Sequence, residues 1–203
     1  MRKSQLFLFA LTAMVLLAIT SNVNATLVFS NYSETSDNCD AWNDTANPVE
    51  VVEDFVAEDN TLGKWEISSI TVNGYGGGIM GGAGPANINI YVDQAGSVGD
   101  LLIKLSNVSL TGSACGQDNT FAVTGLTITA ESTYWLGIEA LGGSSNAVGW
   151  RRTSSNSTGP TGTGYQQDGN GHIFKLEGTE IPEPATICLL GLGGLALLRK
   201  RRA

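Results

Sequence analysis

Short segments with an apolar residue at every second position fill the middle of the chain. Trp65 and Ile67 alternate with polar neighbours, the alternation slips at Ser68 and Ser69, and it resumes at Ile70. Residues two apart point to the same face of a strand, so this stretch predicts a strand interrupted by a β-bulge. The same alternation recurs along the chain at Ile88, Ile90 and Val92, at Leu101, Ile103 and Leu105, at Phe121 and Val123, at Tyr134, Leu136 and Ile138, and at Phe174 and Leu176.

Turn-forming residues separate these segments, and no helical period is seen outside the two ends of the chain. Many short strands with frequent Gly, Ser, Asn and Asp turns are typical of sandwiches and barrels. The sequence therefore predicts an all-β domain, an antiparallel jelly-roll-like β-sandwich, flanked by an N-terminal signal helix and a C-terminal transmembrane helix.

The first 25 residues have the three parts of a secretory signal peptide. Arg2 and Lys3 precede an apolar stretch from Leu6 to Ile19, and small side chains lead up to Ala25. This order is what a signal peptidase recognises, so we expect export of the chain and removal of residues 1–25.

A second apolar stretch, Ala185 to Leu198, lies near the C-terminus. As a helix it spans about 21 Å, less than the roughly 30 Å hydrocarbon core of a bilayer. A cluster of four basic residues follows directly and suits the cytoplasmic side of a membrane. We therefore expect residues 185–198 to form a short transmembrane helix, with the basic tail inside and the middle of the chain outside. The basic residues are Arg199, Lys200, Arg201 and Arg202.

The segment 181–203 resembles the PEP-CTERM sorting signal. Pro182, Glu183 and Pro184 are followed by a Gly- and Leu-rich apolar segment and then by the arginine cluster. The resemblance implies processing by an exosortase, a membrane-embedded cysteine transpeptidase-like protease, near the Pro-Glu-Pro. Such proteins occur in Gram-negative bacteria with exopolysaccharide and biofilm systems, which implies a destination at the cell surface or in the extracellular matrix.

The segment between the two ends, residues 26–180, has the size of one domain. Its 18 acidic and 5 basic residues give a net charge of −13, which makes nucleic acid an unsuitable partner. It contains two cysteines, Cys39 and Cys115, while Cys188 lies in the apolar tail. An oxidising compartment favours a Cys39–Cys115 disulfide, with two separate thiols as the alternative.

The interior also resembles a group of secreted β-sandwich domains that carry exchangeable C-terminal anchors. The matching stretches are VEDFVAEDNTLGKWEISSITVNGY, LTITAESTYWLGI and GYQQDGNGHIFKLEGT. The resemblance implies the sandwich and an accessory extracellular role, and no catalytic residues are known for the group.

Three motifs bear on catalytic or cofactor chemistry. A G-x-G-x-x-G match begins at Gly76, but further glycines, Pro85 and a strand follow it, so a flexible loop is favoured over a dinucleotide site. His172 is the only histidine and has no G-x-S-x-G partner, which favours a structural strand-edge position. The Asp168-Gly169-Asn170-Gly171 segment lacks the glutamate of a calcium loop, so we expect a turn and no cofactor, with calcium kept as an alternative.

Exposed aromatic side chains would make the domain a carbohydrate-binding module. Trp150, next to the only basic pair of the domain, and Tyr165 are the candidate glycan contacts. Packing in the core is the favoured alternative, because aromatic residues supply large buried areas in sandwiches. We therefore expect a non-catalytic structural or adhesive protein, with a carbohydrate-binding module and an unrecognised glycan hydrolase as the alternatives.

Overall fold

The computed structural model of the chain describes residues 25–32, 35–42, 50–76, 84–112, 116–141, 148–153, 165–166 and 171–182. Strands account for the regular secondary structure of these ranges. They are β1 (Thr26–Ser30), β2 (Thr35–Trp42), β3 (Glu50–Val56), β4 (Gly63–Gly76), β5 (Gly84–Asp93), β6 (Val98–Leu110), β7 (Asp118–Thr129), β8 (Thr133–Ala140), β9 (Val148–Thr153), β10 (Tyr165–Gln166) and β11 (Phe174–Pro182).

The first sheet has the order β1-β11-β4-β9-β2, and β7 also pairs with β4. The long strand β4 organises this sheet, since β11 and β7 pair with its first part and β9 pairs with its last three residues. The pairing of β4 with β7 shifts register between Ile67 and Ser69. This shift confirms the bulge that the slip in the apolar alternation predicts.

The second sheet has the order β10-β3-β8-β5-β6. Its pairings are antiparallel except for the short strand β10, which runs parallel to β3. The two sheets bury their apolar faces against each other in one core. At its centre Phe55 of the second sheet lies 5.6 Å, ring centre to ring centre, from Phe174 of the first. The all-β prediction and the sandwich are thus confirmed.

The predicted apolar alternation holds in most strands, and in β6 it holds at Ile103 and Leu105, which pack against the core, but fails at Leu101. Ile88, Ile90, Leu136 and Ile138 are buried between the sheets. Leu101 is instead 49% exposed, because the β5–β6 pairing shifts register between Ile90 and Tyr91 and turns the start of β6 out of phase.

The two helices expected at the ends of the chain, residues 1–25 and 185–198, lie outside the described residues except for Ala25. Within the described ranges, the structure contains no helix of the length and apolarity needed to cross a bilayer. The last strand runs two residues beyond the domain boundary expected at residue 180.

One end of the sandwich carries both the start of β1 and the end of β11, and we call it the terminal pole. Thr26 lies opposite Gly178, and Pro182 lies opposite Gly63. Two connections close this pole, residues 57–62 and 130–132. They are joined by hydrogen bonds from the Ala57 amide to the Ser132 carbonyl and from the Glu131 amide to the Ala57 carbonyl, at 3.1 and 2.9 Å.

Candidate functional site

Pro182 is the residue of the Pro-Glu-Pro motif that the structure describes. It is the last residue of β11 and lies opposite Gly63 at the start of β4. A proline has no amide to donate to the next pair, which suits the end of a strand. Glu183, Pro184 and the basic tail of residues 199–202 lie outside the described residues.

The turn that faces the end of β11 is held by side-chain hydrogen bonds. The Asn60 side chain accepts hydrogen bonds from the amides of Leu62 and Gly63, at 3.0 and 2.5 Å, and donates to the Lys64 carbonyl at 2.9 Å. From this turn the Thr61 hydroxyl donates to the Glu180 carboxylate at 3.1 Å. The Thr61 bond connects the β3–β4 connection to the last strand, next to the Pro-Glu-Pro.

A group of polar side chains lies on the outer face of the second sheet, and we call it the outer-face cluster. Cross-strand register places its members side by side on β3, β8, β5 and β6, because residues opposite one another share a face. The cluster consists of Glu50, Asn87, Asn89, Tyr91, Lys104 and Glu139.

Glu50 is the most buried carboxylate of the cluster, with 8% of its surface exposed. It accepts hydrogen bonds from the Asn89 amide at 2.7 Å and from the Tyr91 hydroxyl at 2.8 Å. Its carboxylate lies over Gly137, where even a Cβ atom would collide with it. Burial raises the pKa of Glu50 above its ordinary value, against the lowering effect of the Asn89 and Tyr91 hydrogen bonds.

Glu139 lies directly opposite Glu50, but its surroundings shift its pKa in the opposite direction. Its partial burial works to raise its pKa, but the hydrogen bond from Asn87 and the Lys104 ammonium group outweigh this effect and lower the pKa. The distances to Glu139 Oε2 are 2.7 Å from Asn87 and 2.9 Å from Lys104. Two carboxylates side by side avoid repulsion when one holds a proton and the other is ionised.

A split of this kind is also what acid–base catalysis uses. In glycosidases, however, the two carboxyl groups flank a bound sugar and must be reachable from solvent. The burial of Glu50, together with Asn89 at 2% exposure, favours a structural role for this pair. The alternation of Asn87, Asn89 and Tyr91 on one face is visible in the sequence, whereas nothing in it marks Glu50 and Glu139 among the other acidic residues.

Trp150, a candidate glycan contact, is a core residue with 0% exposure. Its indole donates a hydrogen bond to the Ile173 carbonyl at 2.8 Å and stacks on His172, with ring centres 4.7 Å apart. A fully buried indole has no free face on which a sugar could stack, so this structure corrects the glycan-contact expectation for Trp150. Trp150 instead packs in the core, which is the alternative that the sequence favours.

His172 is likewise an interior residue and not a strand-edge one. It is 1% exposed, and its Nδ1 lies 3.4 Å from a carboxylate oxygen of Glu53, which is buried on the inner face of β3. This contact joins the two sheets from within the core.

The remaining predicted site residues are only partly covered by the structure. Tyr165 belongs to β10 and lies opposite Glu50, but its side chain is outside the described residues. Cys39 is a partly buried residue of β2, while Cys115 is outside the described residues. The glycine loop is described only at its ends, and a strand follows it at Gly84, as expected.

Among the residues that the structure describes, no three His, Cys, Asp or Glu side chains come together as metal ligands would. Asp168, the first residue of the calcium alternative, is outside those ranges.

Comparison with known families identifies the C-terminal segment. Residues 180–202 match the model of the PEP-CTERM protein-sorting motif, which confirms the resemblance to this sorting signal. The motif implies processing by an exosortase, and therefore export and membrane anchoring before processing. The first three matched residues are the last three of β11. No curated protein matches the chain.

Proposed function

We propose that the chain is a surface or matrix protein of a Gram-negative bacterium that an exosortase processes after export. Signal peptidase removes residues 1–25, the helix 185–198 anchors the exported chain, and the exosortase acts near the Pro-Glu-Pro. The observation that carries this proposal is the sorting-motif match at residues 180–202, which continues directly from the last strand of a folded β-sandwich.

The released sandwich has a non-catalytic structural or adhesive role, linked to exopolysaccharide or biofilm. Its acidic composition supports an extracellular role without nucleic acid as a partner. The burial of Glu50, Glu53 and His172 supports a structural use for these reactive groups. The role needs no cofactor, and it fits the secreted sandwich domains that the interior resembles.

A Cys39–Cys115 disulfide completes the exported domain in this proposal. Cys39 lies opposite Arg151 in the β2–β9 pairing. A Cβ atom placed on Gly116 would lie 3.4 Å from the Arg151 guanidinium. Because Gly116 directly follows Cys115, this proximity supports the pairing.

The test of the proposed function is an epitope tag placed after Ala203 in cells with an active exosortase. We expect the tag to be lost from the bulk of the protein, because cleavage near the Pro-Glu-Pro removes the tail. Replacing Pro182, Glu183 and Pro184 by alanine should leave a longer, membrane-bound precursor that keeps the tag.

The matched control replaces the exposed β7 residues Thr124 and Thr127 by alanine, which should leave processing unchanged. Retention of the tag on most of the unsubstituted protein would show that the tail is an ordinary anchor and would overturn the proposal.

A further inference from the structure

The sorting motif begins inside the folded sheet. Glu180, Ile181 and Pro182 are matched by the motif and are paired with Trp65, Lys64 and Gly63 of β4. The pairing of β1 with β11 reaches only to Gly178. Among the described strands, the last residues of β11 are therefore held from one side only, by β4.

Very little chain separates this paired end from the predicted membrane segment. From Pro182 to Ala185 there are three residues, which span at most about 10 Å even when fully extended. The folded sandwich therefore lies close to any enzyme that acts on the Pro-Glu-Pro at the membrane surface. The two residues between Pro182 and Ala185 are too few to carry the motif away from the domain.

A protease or transpeptidase binds its substrate as an extended strand whose backbone groups are available for pairing. Residues 180–182 have their backbone on one side already paired with β4. The enzyme and β4 therefore compete for the same segment of chain.

We propose that processing at the Pro-Glu-Pro requires the end of β11, residues 180–182, to detach from β4, so that this strand end gates the sorting step. The inference rests on the proposed function and adds a control step to it. Strand ends belong to the least stable part of a fold and open locally without global unfolding. When opening and closing are fast compared with cleavage, the rate of cleavage follows the population of the open form.

The Thr61–Glu180 hydrogen bond is a side-chain contact that helps to hold this gate closed. It is solvent-exposed, so its removal shifts the opening equilibrium only modestly. Thr61→Val keeps the shape of the side chain and deletes the donor. We expect this variant to be processed about twofold faster than the unsubstituted chain.

The decisive experiment links the gate covalently in the full-length, C-terminally tagged chain. Lys64→Cys and Ile181→Cys place two thiols at directly opposite positions of β4 and β11. With this link formed, we expect processing in cells with an active exosortase to fall at least tenfold. Reduction of the isolated precursor before incubation with exosortase-containing membranes should restore it.

The matched control links the opposite pair two residues farther into the sheet with Glu66→Cys and Thr179→Cys. This link leaves residues 180–182 able to detach, so processing should stay within about twofold of the unlinked chain. If both disulfides block processing and reduction restores it, detachment is still required, and the detaching segment then includes the Glu66–Thr179 pair.

Processing of the 64–181 linked chain at the unlinked rate would overturn the gate while leaving the proposed function intact. Failure of the unlinked chain to lose its tag would instead overturn the proposed function. Limited proteolysis of each linked chain checks that the sandwich is folded, and the Thr61→Val rate tests the gate without any new cysteine.

Discussion

At the scale of single residues, the outer-face cluster is arranged around one buried carboxyl group. Glu50 lies opposite Glu139, and like charges at directly opposed positions destabilise a sheet. Glu139 is ionised because Asn87 and Lys104 stabilise its charge. A proton on Glu50 therefore relieves the repulsion and removes the cost of burying a second charge.

The first prediction concerns the pH dependence of stability. The pKa of Glu50 is raised by burial in the folded domain from its ordinary value of 4.5. Its protonated form therefore favours the folded state fully below pH 4.5, and this contribution is lost as the pH rises through the folded-state pKa. Glu50→Gln keeps the hydrogen-bonding shape without a charge, so it should melt about 2–4 °C higher at pH 7.

Melting curves of both proteins from pH 4 to pH 8 measure this gap, which should close toward pH 4. Glu66→Gln, at an exposed position of β4, is the control and should leave the pH profile of the unsubstituted protein unchanged. A gap that is constant with pH would mean that Glu50 does not titrate as its burial requires.

At the scale of strands, the sequence predicts those elements that have one buried and one polar face. β4, β5, β7 and β11 show this alternation and were found where it predicts them. β3 was not recognised from its alternation, because Val51 and Val52 are both buried, on opposite faces of the strand. A strand buried on both faces shows no alternation of apolar and polar residues.

Only those functional residues that follow one another in the sequence could be predicted from it. The Pro-Glu-Pro and the tail form a continuous motif, and the family match confirms them. The Glu50–Glu139 pair depends on the register between β3 and β8, which joins residues far apart in the chain. The burial of Trp150 depends in the same way on the approach of Ile173 and His172.

The second prediction concerns the attachment of β2. Among the described strands this strand pairs only with β9, so a Cys39–Cys115 bond would tie an edge strand to the chain segment before β7. Mass spectrometry of protein from the extracytoplasmic fraction should show a linked peptide pair two hydrogens lighter than the free thiols. Reduction should lower the free energy of unfolding by about 2–4 kcal/mol, because the unfolded chain regains conformational freedom.

Cys188→Ala is the matched control for this bond and should leave the linked peptide pair unchanged. Free thiols at both Cys39 and Cys115 in freshly isolated protein would contradict the pairing.

At the scale of the whole molecule, the first strand, β1, begins at the terminal pole and the last strand, β11, ends there. The exposed large apolar side chains of the described residues are Leu27, Val56, Leu101 and Leu102. Leu27 and Val56 lie at the terminal pole itself, and the other two lie on β6 near the turn of residues 94–97 that ends at the same pole. Apolar surface grouped in this way marks a side of the protein that meets another surface.

The third prediction is that the anchored precursor stands with its terminal pole toward the membrane. The short chain from Pro182 to Ala185 holds this pole within about 10 Å of the bilayer surface. The opposite pole lies about 33 Å farther away, the length of the ten-residue strand β5. Attraction to anionic lipids cannot supply this orientation, because the exposed Glu58, Asp59 and Glu131 make the pole acidic.

The measurement uses full-length precursor in liposomes whose lipid headgroups carry a fluorescence quencher, with Cys188→Ala as the background. A fluorophore on Asp59→Cys, at the terminal pole, should be strongly quenched. One on Ser109→Cys, exposed near the opposite end of β6, should be almost unaffected. Because the orientation comes from the short tether, inserting a twelve-residue Gly-Ser linker after Pro182 should bring the two signals together. Equal quenching at both positions without the linker would show that the sandwich lies on its side or tumbles freely, and it would remove the geometric basis for a membrane-facing terminal pole.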